Sequence, residues 1–148
     1  MDVCGAERLG HGVEIMNDCG VEAGESVKLG PVAKRVRDRQ VPLEMCPGSN
    51  MATGQLDAVS HPFGVPYRSG FNVTLNTDNR LMTDMSMSSE FAPARDHYGF
   101  QIEDFALITR RALAAAFCGH EDKVELWESA IEPAYKAEGV DIEDRWLW

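Results

Sequence analysis

Chemistry is most legible in the run Asn72-Val73-Thr74-Leu75-Asn76-Thr77-Asp78-Asn79, a short apolar strand that ends in polar residues and an acid. In a barrel of parallel strands, the side chains at the C-terminal strand ends are the ones that meet substrate. A carboxylate delivered there can hold a cation through its oxygens. Arg8-Leu9-Gly10-His11-Gly12 has the same design, a strand end that delivers one histidine. The flanking glycines let a ligand approach the ring closely. A histidine so placed suits the work of a general base, or of an electrostatic partner to activated water. Each residue also has a structural reading: His11 as a hydrogen-bonded framework histidine, Asp78 as a helix N-cap. His61, beside Pro62 in an irregular stretch, reads as structural rather than as a ligand, and His97 and His120 lie on helix surfaces. Met82, Met85 and Met87 read as packing residues.

The elements that must position these residues follow from periodicity and punctuation. A strand near Ala6 to Gly12 carries His11, and Asp18-Cys19-Gly20 marks a loop. Ser26 can cap a helix to about Arg39, with Pro31 in its first turn. Val32, Ala33 and Val36 form its apolar side, and Lys34, Arg35, Arg37 and Arg39 form a basic face that reads as solvated. Val41 to Cys46 is a second strand, stopped by Pro47-Gly48. A proline- and glycine-rich loop follows, with one short helix near Pro62 to Arg68, then a third strand from Phe71 to Leu75. A helix is expected over Leu81 to Ala92. Phe105, Ile108, Ala112, Ala115 and Ala116 mark another by their spacing, with Glu103 and Asp104 in its first turn and Gly119 at its end. Val124, Trp127 and Ile131 form the stripe of a further helix, limited or kinked at Pro133, and an acidic tail ends in Trp146-Leu147-Trp148. Strands alternating with helices imply an α/β fold with parallel strands and right-handed crossovers.

The chain has 148 residues and a formal net charge of −10. That length allows one domain with a real core but falls short of a full (β/α)₈ barrel, which takes about 250 residues. The acidic balance argues against binding a nucleic-acid backbone. No apolar run approaches the roughly 18 residues of a membrane span, and the N-terminus has no signal-peptide character. Cys4, Cys19, Cys46 and Cys118 are scattered without a CxxC pair, so reduced thiols and a cytoplasmic location are expected.

Three segments occur together in order and spacing: Arg8-Leu9-Gly10-His11-Gly12, Leu43-Glu44-Met45-Cys46-Pro47-Gly48-Ser49-Asn50, and Thr74-Leu75-Asn76-Thr77-Asp78-Asn79-Arg80. The set resembles the adenosine deaminase family. The ending Asp78-Asn79-Arg80-Leu81-Met82 is similar to its actinobacterial-type branch, and Phe105 to Phe117 with Ile131 to Tyr135 is similar to its C-terminal helices. The resemblance covers nearly the whole chain. It implies a TIM (β/α)₈ barrel hydrolase with one zinc ion, which converts adenosine or deoxyadenosine to inosine and ammonia. His11 is then the catalytic histidine beside the zinc-bound water, and Asp78 the zinc ligand from the last strand. Asn79 is a substrate-binding residue at the position of an acid that contacts the purine. Its amide suits a purine edge or helix capping, and it can donate without a raised pKa. Ser49 and Asn50 resemble supporting or loop positions, with no direct role. The H-x-E and P-C-x-x-C signature of the other zinc deaminase class is absent.

The family also requires a His-x-His pair, a third zinc histidine and a proton-donating glutamate, and the chain contains no His-x-His. The resemblance therefore implies a partial barrel domain over residues 1–148, about strands six to eight with the terminal helices. Such a chain is expected to be inactive alone, because a catalytic zinc site takes about three protein ligands plus water, and pairing with a missing N-terminal half is open to it. Two alternatives remain: a related deaminase of adenine or a modified nucleoside, and a non-catalytic half-barrel interaction module.

Overall fold

The structure, a computed structural model, describes residues 4–21, 27–54, 56–57 and 61–142. The chain divides into two compact units, Met1–Gly99 and Phe100–Trp148.

The first unit is organised by three short strands: β1 (Leu9–Gly10), β4 (Leu43–Met45) and β5 (Val73–Leu75). They form a parallel sheet in the order β1-β4-β5, with Leu43 between Leu9 and Val73 in register. Leu43, Met45, Val73, Thr74 and Leu75 are all buried. Burial of successive residues, which point to opposite faces, means that both faces of the sheet are covered, as parallel sheets require. The ladder runs one residue past each short strand: His11 N donates to Glu44 O (2.8 Å) and Asn76 N donates to Met45 O (2.9 Å). Both strand ends that carry candidate site residues are thus held by the central strand.

A hairpin of β2 (Cys19–Val21) and β3 (Val27–Leu29) follows β1, reached through a 3₁₀ turn over Val13–Asp18. The expected loop at Asp18-Cys19-Gly20 is therefore a strand in part. Ser26 lies outside the described residues, and the expected helix begins later, with Pro31, as α1 (Pro31–Asp38). Proline fits the first helical position because its missing N–H would have no partner there. The cap comes from 15 residues upstream rather than from a neighbour: an Asp18 carboxylate oxygen accepts from Ala33 N (2.8 Å), and Asp18 O accepts from Gly30 N (2.6 Å). A Cβ at Gly30 would run into Asp18. Ala33 and Val36 are buried, Val32 is exposed, and Lys34, Arg35 and Arg39 face solvent as expected.

Pro47-Gly48 does more than stop β4, since Pro47 opens α2 (Pro47–Ala52). After α3 (Gly64–Arg68) and β5, the helix expected over Leu81 to Ala92 is two helices, α4 (Arg80–Thr83) and α5 (Met87–Tyr98). Asp84 in a left-handed conformation (φ 51°) separates them. Ser86 and Ser89 then cap α5 reciprocally: Ser89 N donates to Ser86 Oγ, and Ser86 N donates to Ser89 Oγ. The helix passes through Pro93 and continues to Tyr98, whose ring meets Phe63 at 5.7 Å.

In the second unit, α6 (Ile102–Ala115) starts where Asp104 accepts from Gln101 N (2.8 Å). Its buried residues are Ala106, Ile108, Arg110 and Leu113, so only Ile108 of the expected stripe is fully buried. Gly119 is the N-cap of α7 (His120–Leu126) rather than the end of α6. The kink foreseen at Pro133 is a π-helical turn over Trp127–Ile131, with Glu132 N bonded to Trp127 O, before α8 (Glu132–Ala137). Proline at 133 removes a donor from the α-helical ladder, and a wider turn accommodates that loss. Arg110 stacks over Trp127 (6.0 Å to the ring), and Thr109 and Tyr135 share a hydrogen bond (2.9 Å). Trp146-Leu147-Trp148 lies outside the described residues. Among the described residues no helix is long and apolar enough to cross a membrane, and all four cysteines are free.

Candidate active site

His11 and Asp78 stand just beyond the C-terminal ends of β1 and β5. Both adopt the left-handed conformation, each with φ 56°. Non-glycine residues rarely do so, and departures of this kind concentrate at functional sites. His11 Nε2 lies 3.6 Å from Asp78 Oδ2. The two side chains are 42% and 41% exposed, open enough to meet a ligand. His11 Nδ1 is buried and has no hydrogen-bond partner.

A third side chain joins them. Ser49 in α2 donates its hydroxyl to Asp78 Oδ2 at 2.7 Å. Three successive C-terminal strand ends thus supply one cluster: His11 after β1, Ser49 after β4, Asp78 after β5. Ser49, expected only at a supporting or loop position, reaches Asp78 directly; nothing in its spacing shows which way the first turn of α2 faces. Asn79 takes the capping duty that was weighed for Asp78. Its side-chain oxygen accepts from Met82 N (3.3 Å) at the start of α4, which leaves Asp78 free of that role.

The cluster lies on the wall of a cavity of about 550 Å³, lined by the residues from Leu9 to Ile15 with Leu43, Ser49, Thr53 and Asp78. That size is within the range of small-molecule sites, about 300–1,000 Å³. Gly12 brings its backbone against Leu43, and a Cβ there would lie 3.0 Å from Leu43 Cδ2. Arg8 and Glu44 form an ion pair (3.1 Å) in the adjoining strands.

His61 is structural, as expected. It is buried, its Nε2 lies 3.2 Å from Asn50 Oδ1, and its Nδ1 accepts from Phe63 N. Burial, aided by nearby His11, lowers its pKa to about 4. In the unfolded chain a histidine titrates near about 6.5. Between those values the unfolded state binds a proton that the folded state refuses, so stability rises with pH there and levels off above it. We expect urea midpoints to fall as pH drops from about 6.5 toward about 4, and to fall less steeply in His61→Gln.

Cys46 is buried, and burial, followed by the charges of Asp78, Glu90 and Glu44, pushes its thiol up to about 12, which disfavours the thiolate. Nor do the described residues fit a zinc site by themselves: they contain no group of three or more His, Cys, Asp or Glu able to hold a metal ion. Asp78 and His11 are two potential donors where a catalytic zinc takes about three plus water.

The family model for adenosine deaminase matches residues 1–133. The chain belongs to the adenosine deaminase family. Among curated relatives, adenosine deaminase 1 of Streptomyces coelicolor is 40% identical over 98% of this chain, and the adenosine deaminase of Mycobacterium ulcerans is 43% identical over 89%. The chain spans 36% and 37% of the length of these relatives. Solved structures agree on the fold. The adenine deaminase of Arthrobacter aurescens superposes with a TM-score of 0.77 at 24% identity, covering 91% of this chain and 38% of that one. A zinc-bound amidohydrolase from Burkholderia ambifaria gives 0.73 at 19% identity, covering 93% and 36%. The family places the β1-β4-β5 sheet in the C-terminal part of a (β/α)₈ barrel, as the motifs implied.

Proposed function

We propose that this chain carries the His11–Asp78 side of a purine nucleoside deaminase site, for the hydrolysis of adenosine or deoxyadenosine to inosine and ammonia. The observation that carries the reading is the convergence of His11, Ser49 and Asp78 from three strand ends on one cavity. Family membership and the 40–43% identical relatives support it.

In this reaction the oxygen of water bonds to C6 of the purine, the bond from C6 to the exocyclic nitrogen breaks, and ammonia leaves with a proton taken from the water. Asp78 presents a carboxylate to the water. Ser49 donates to Oδ2 and so leaves Oδ1 available to a cation or the nucleophile. His11, within reach of Asp78, steadies charge developing on the attacking oxygen. Asn79, at the next position, offers its amide to the ring once substrate lies across the strand end. Asp78 is the zinc ligand this chain contributes in this reading. The remaining ligands belong to the part of the barrel that the relatives have and this chain does not span. A cytoplasmic site of action fits the free thiols.

The test is a substrate panel. The chain is completed with the N-terminal part of the Streptomyces coelicolor relative and offered adenosine, deoxyadenosine, adenine and N6-methyl-AMP. Preferred turnover of adenosine or deoxyadenosine supports the proposal, and preference for either of the others replaces it with a different deaminase. A complex that forms without any turnover would favour an interaction module.

A further inference from the structure

Glu90, in α5, is buried as completely as the core aliphatics, at 1% exposure. Its position in Ser88-Ser89-Glu90-Phe91 suggests a solvated helix face, and no step of the proposed reaction uses it. A carboxyl group is rarely enclosed unless something holds it there. One of its oxygens, Oε2, accepts from Gly48 N at 3.1 Å, across 42 residues of sequence. The other, Oε1, is buried with no hydrogen-bond partner and occupies the space that a Cβ on Gly48 would take. Met85 Cε closes the same space, 3.0 Å from that Cβ position. Residue 48 must therefore be glycine for the carboxyl to fit, and the carboxyl fills the hollow that glycine leaves. The next residue is Ser49, whose hydroxyl grips Asp78 at 2.7 Å.

We propose that Glu90 is a positioning residue for the Asp78–His11 pair: wedged against Gly48, its carboxyl fixes the first turn of α2 so that Ser49 reaches Asp78. The linkage runs from Glu90 through Gly48 N and Ser49 Oγ to Asp78 Oδ2, and on to His11 Nε2. What matters in it is the reach of the side chain rather than its charge. Burial raises the Glu90 pKa, which favours the neutral acid. A neutral group that still accepts the Gly48 N–H is a spacer of fixed length. The importance of this for deamination rests on the function proposed above. The placement itself does not.

Reach and charge are separated by two conservative variants of the full 148-residue chain. Glu90→Gln keeps the length and an acceptor oxygen but removes the acid. Glu90→Asp keeps the acid but withdraws it from Gly48 by one methylene. The readout is the pair of ¹⁵N resonances of the His11 ring at fixed pH, with Ser49→Ala marking a lost hydroxyl contact and a thermal melt recording global stability. Glu90→Gln should reproduce the wild-type His11 spectrum. Glu90→Asp should displace it in the direction of Ser49→Ala. A wild-type His11 spectrum in folded Glu90→Asp would overturn the proposal. So would a displaced spectrum in Glu90→Gln, which also decides the matter if Glu90→Asp does not fold. These spectra need no turnover, so failure of the deaminase reading shows in the substrate panel and failure of the positioning role shows here.

Discussion

Asp78→Asn in the completed enzyme is expected to lower kcat/KM for adenosine by about 10²–10⁴-fold, the usual contribution of a placed acid–base group, while the melting temperature stays close to wild type. The substitution separates fold from chemistry because of the backbone at this position. Asp78 has φ 56°, a conformation that asparagine adopts at least as readily as aspartate. The asparagine oxygen can still accept the Ser49 hydroxyl, now at 2.7 Å from Oδ2. What it loses is the negative charge and one acceptor oxygen, the properties needed to hold a cation or orient water. His11→Gln belongs in the same experiment, because His11 shares both the left-handed conformation and the 3.6 Å contact. Activity within a few-fold of wild type in Asp78→Asn would place the chemistry elsewhere.

The second large effect is on stability. Leu43→Ala is expected to cost about 2–5 kcal/mol, the range for removing a large aliphatic side chain from a packed core. Leu43 is fully buried in the central strand, with Leu9 and Val73 as its neighbours in register. It also lines the cavity and lies against Gly12, next to His11. Truncation would leave a void where the three strands meet and loosen the segment that carries His11. A lower urea midpoint with an unchanged slope is the expected signature. A loss below about 1 kcal/mol would show that the site relaxes to fill the void, contrary to the close packing usual in a protein core.

The strands that carry the site were legible because apolar runs ending in His11 or Asp78 combine periodicity with polar punctuation. Much of the rest depends on contacts that no local pattern encodes. The β2–β3 hairpin is only three residues on each side and includes Gly20 and Lys28, too little for alternation to stand out. The start of α1 was misplaced because its cap, Asp18, comes from before the hairpin, whereas a sequence reading looks for a cap next to the helix. The break at Asp84 rests on a left-handed residue that aspartate tolerates but does not announce. In the site itself, His11 and Asp78 were visible as residue types at strand ends. Their mutual distance was not, because it depends on the parallel register of β1, β4 and β5. Ser49 reads from sequence only as a supporting or loop position and Glu90 carries no signal, since each acts through a contact made by folding, across 29 and 42 residues.

Under the proposed function, this chain holds one side of a deaminase site, and the part of its relatives that it does not span holds the other. Inosine formation from adenosine, measured for the 148-residue chain alone and for the chain completed with the N-terminal part of the Streptomyces coelicolor relative, tests it most directly. The prediction is no turnover alone and turnover on completion, abolished by chelation and restored by zinc. Turnover by the chain alone, with zinc bound in stoichiometric amount, would contradict it.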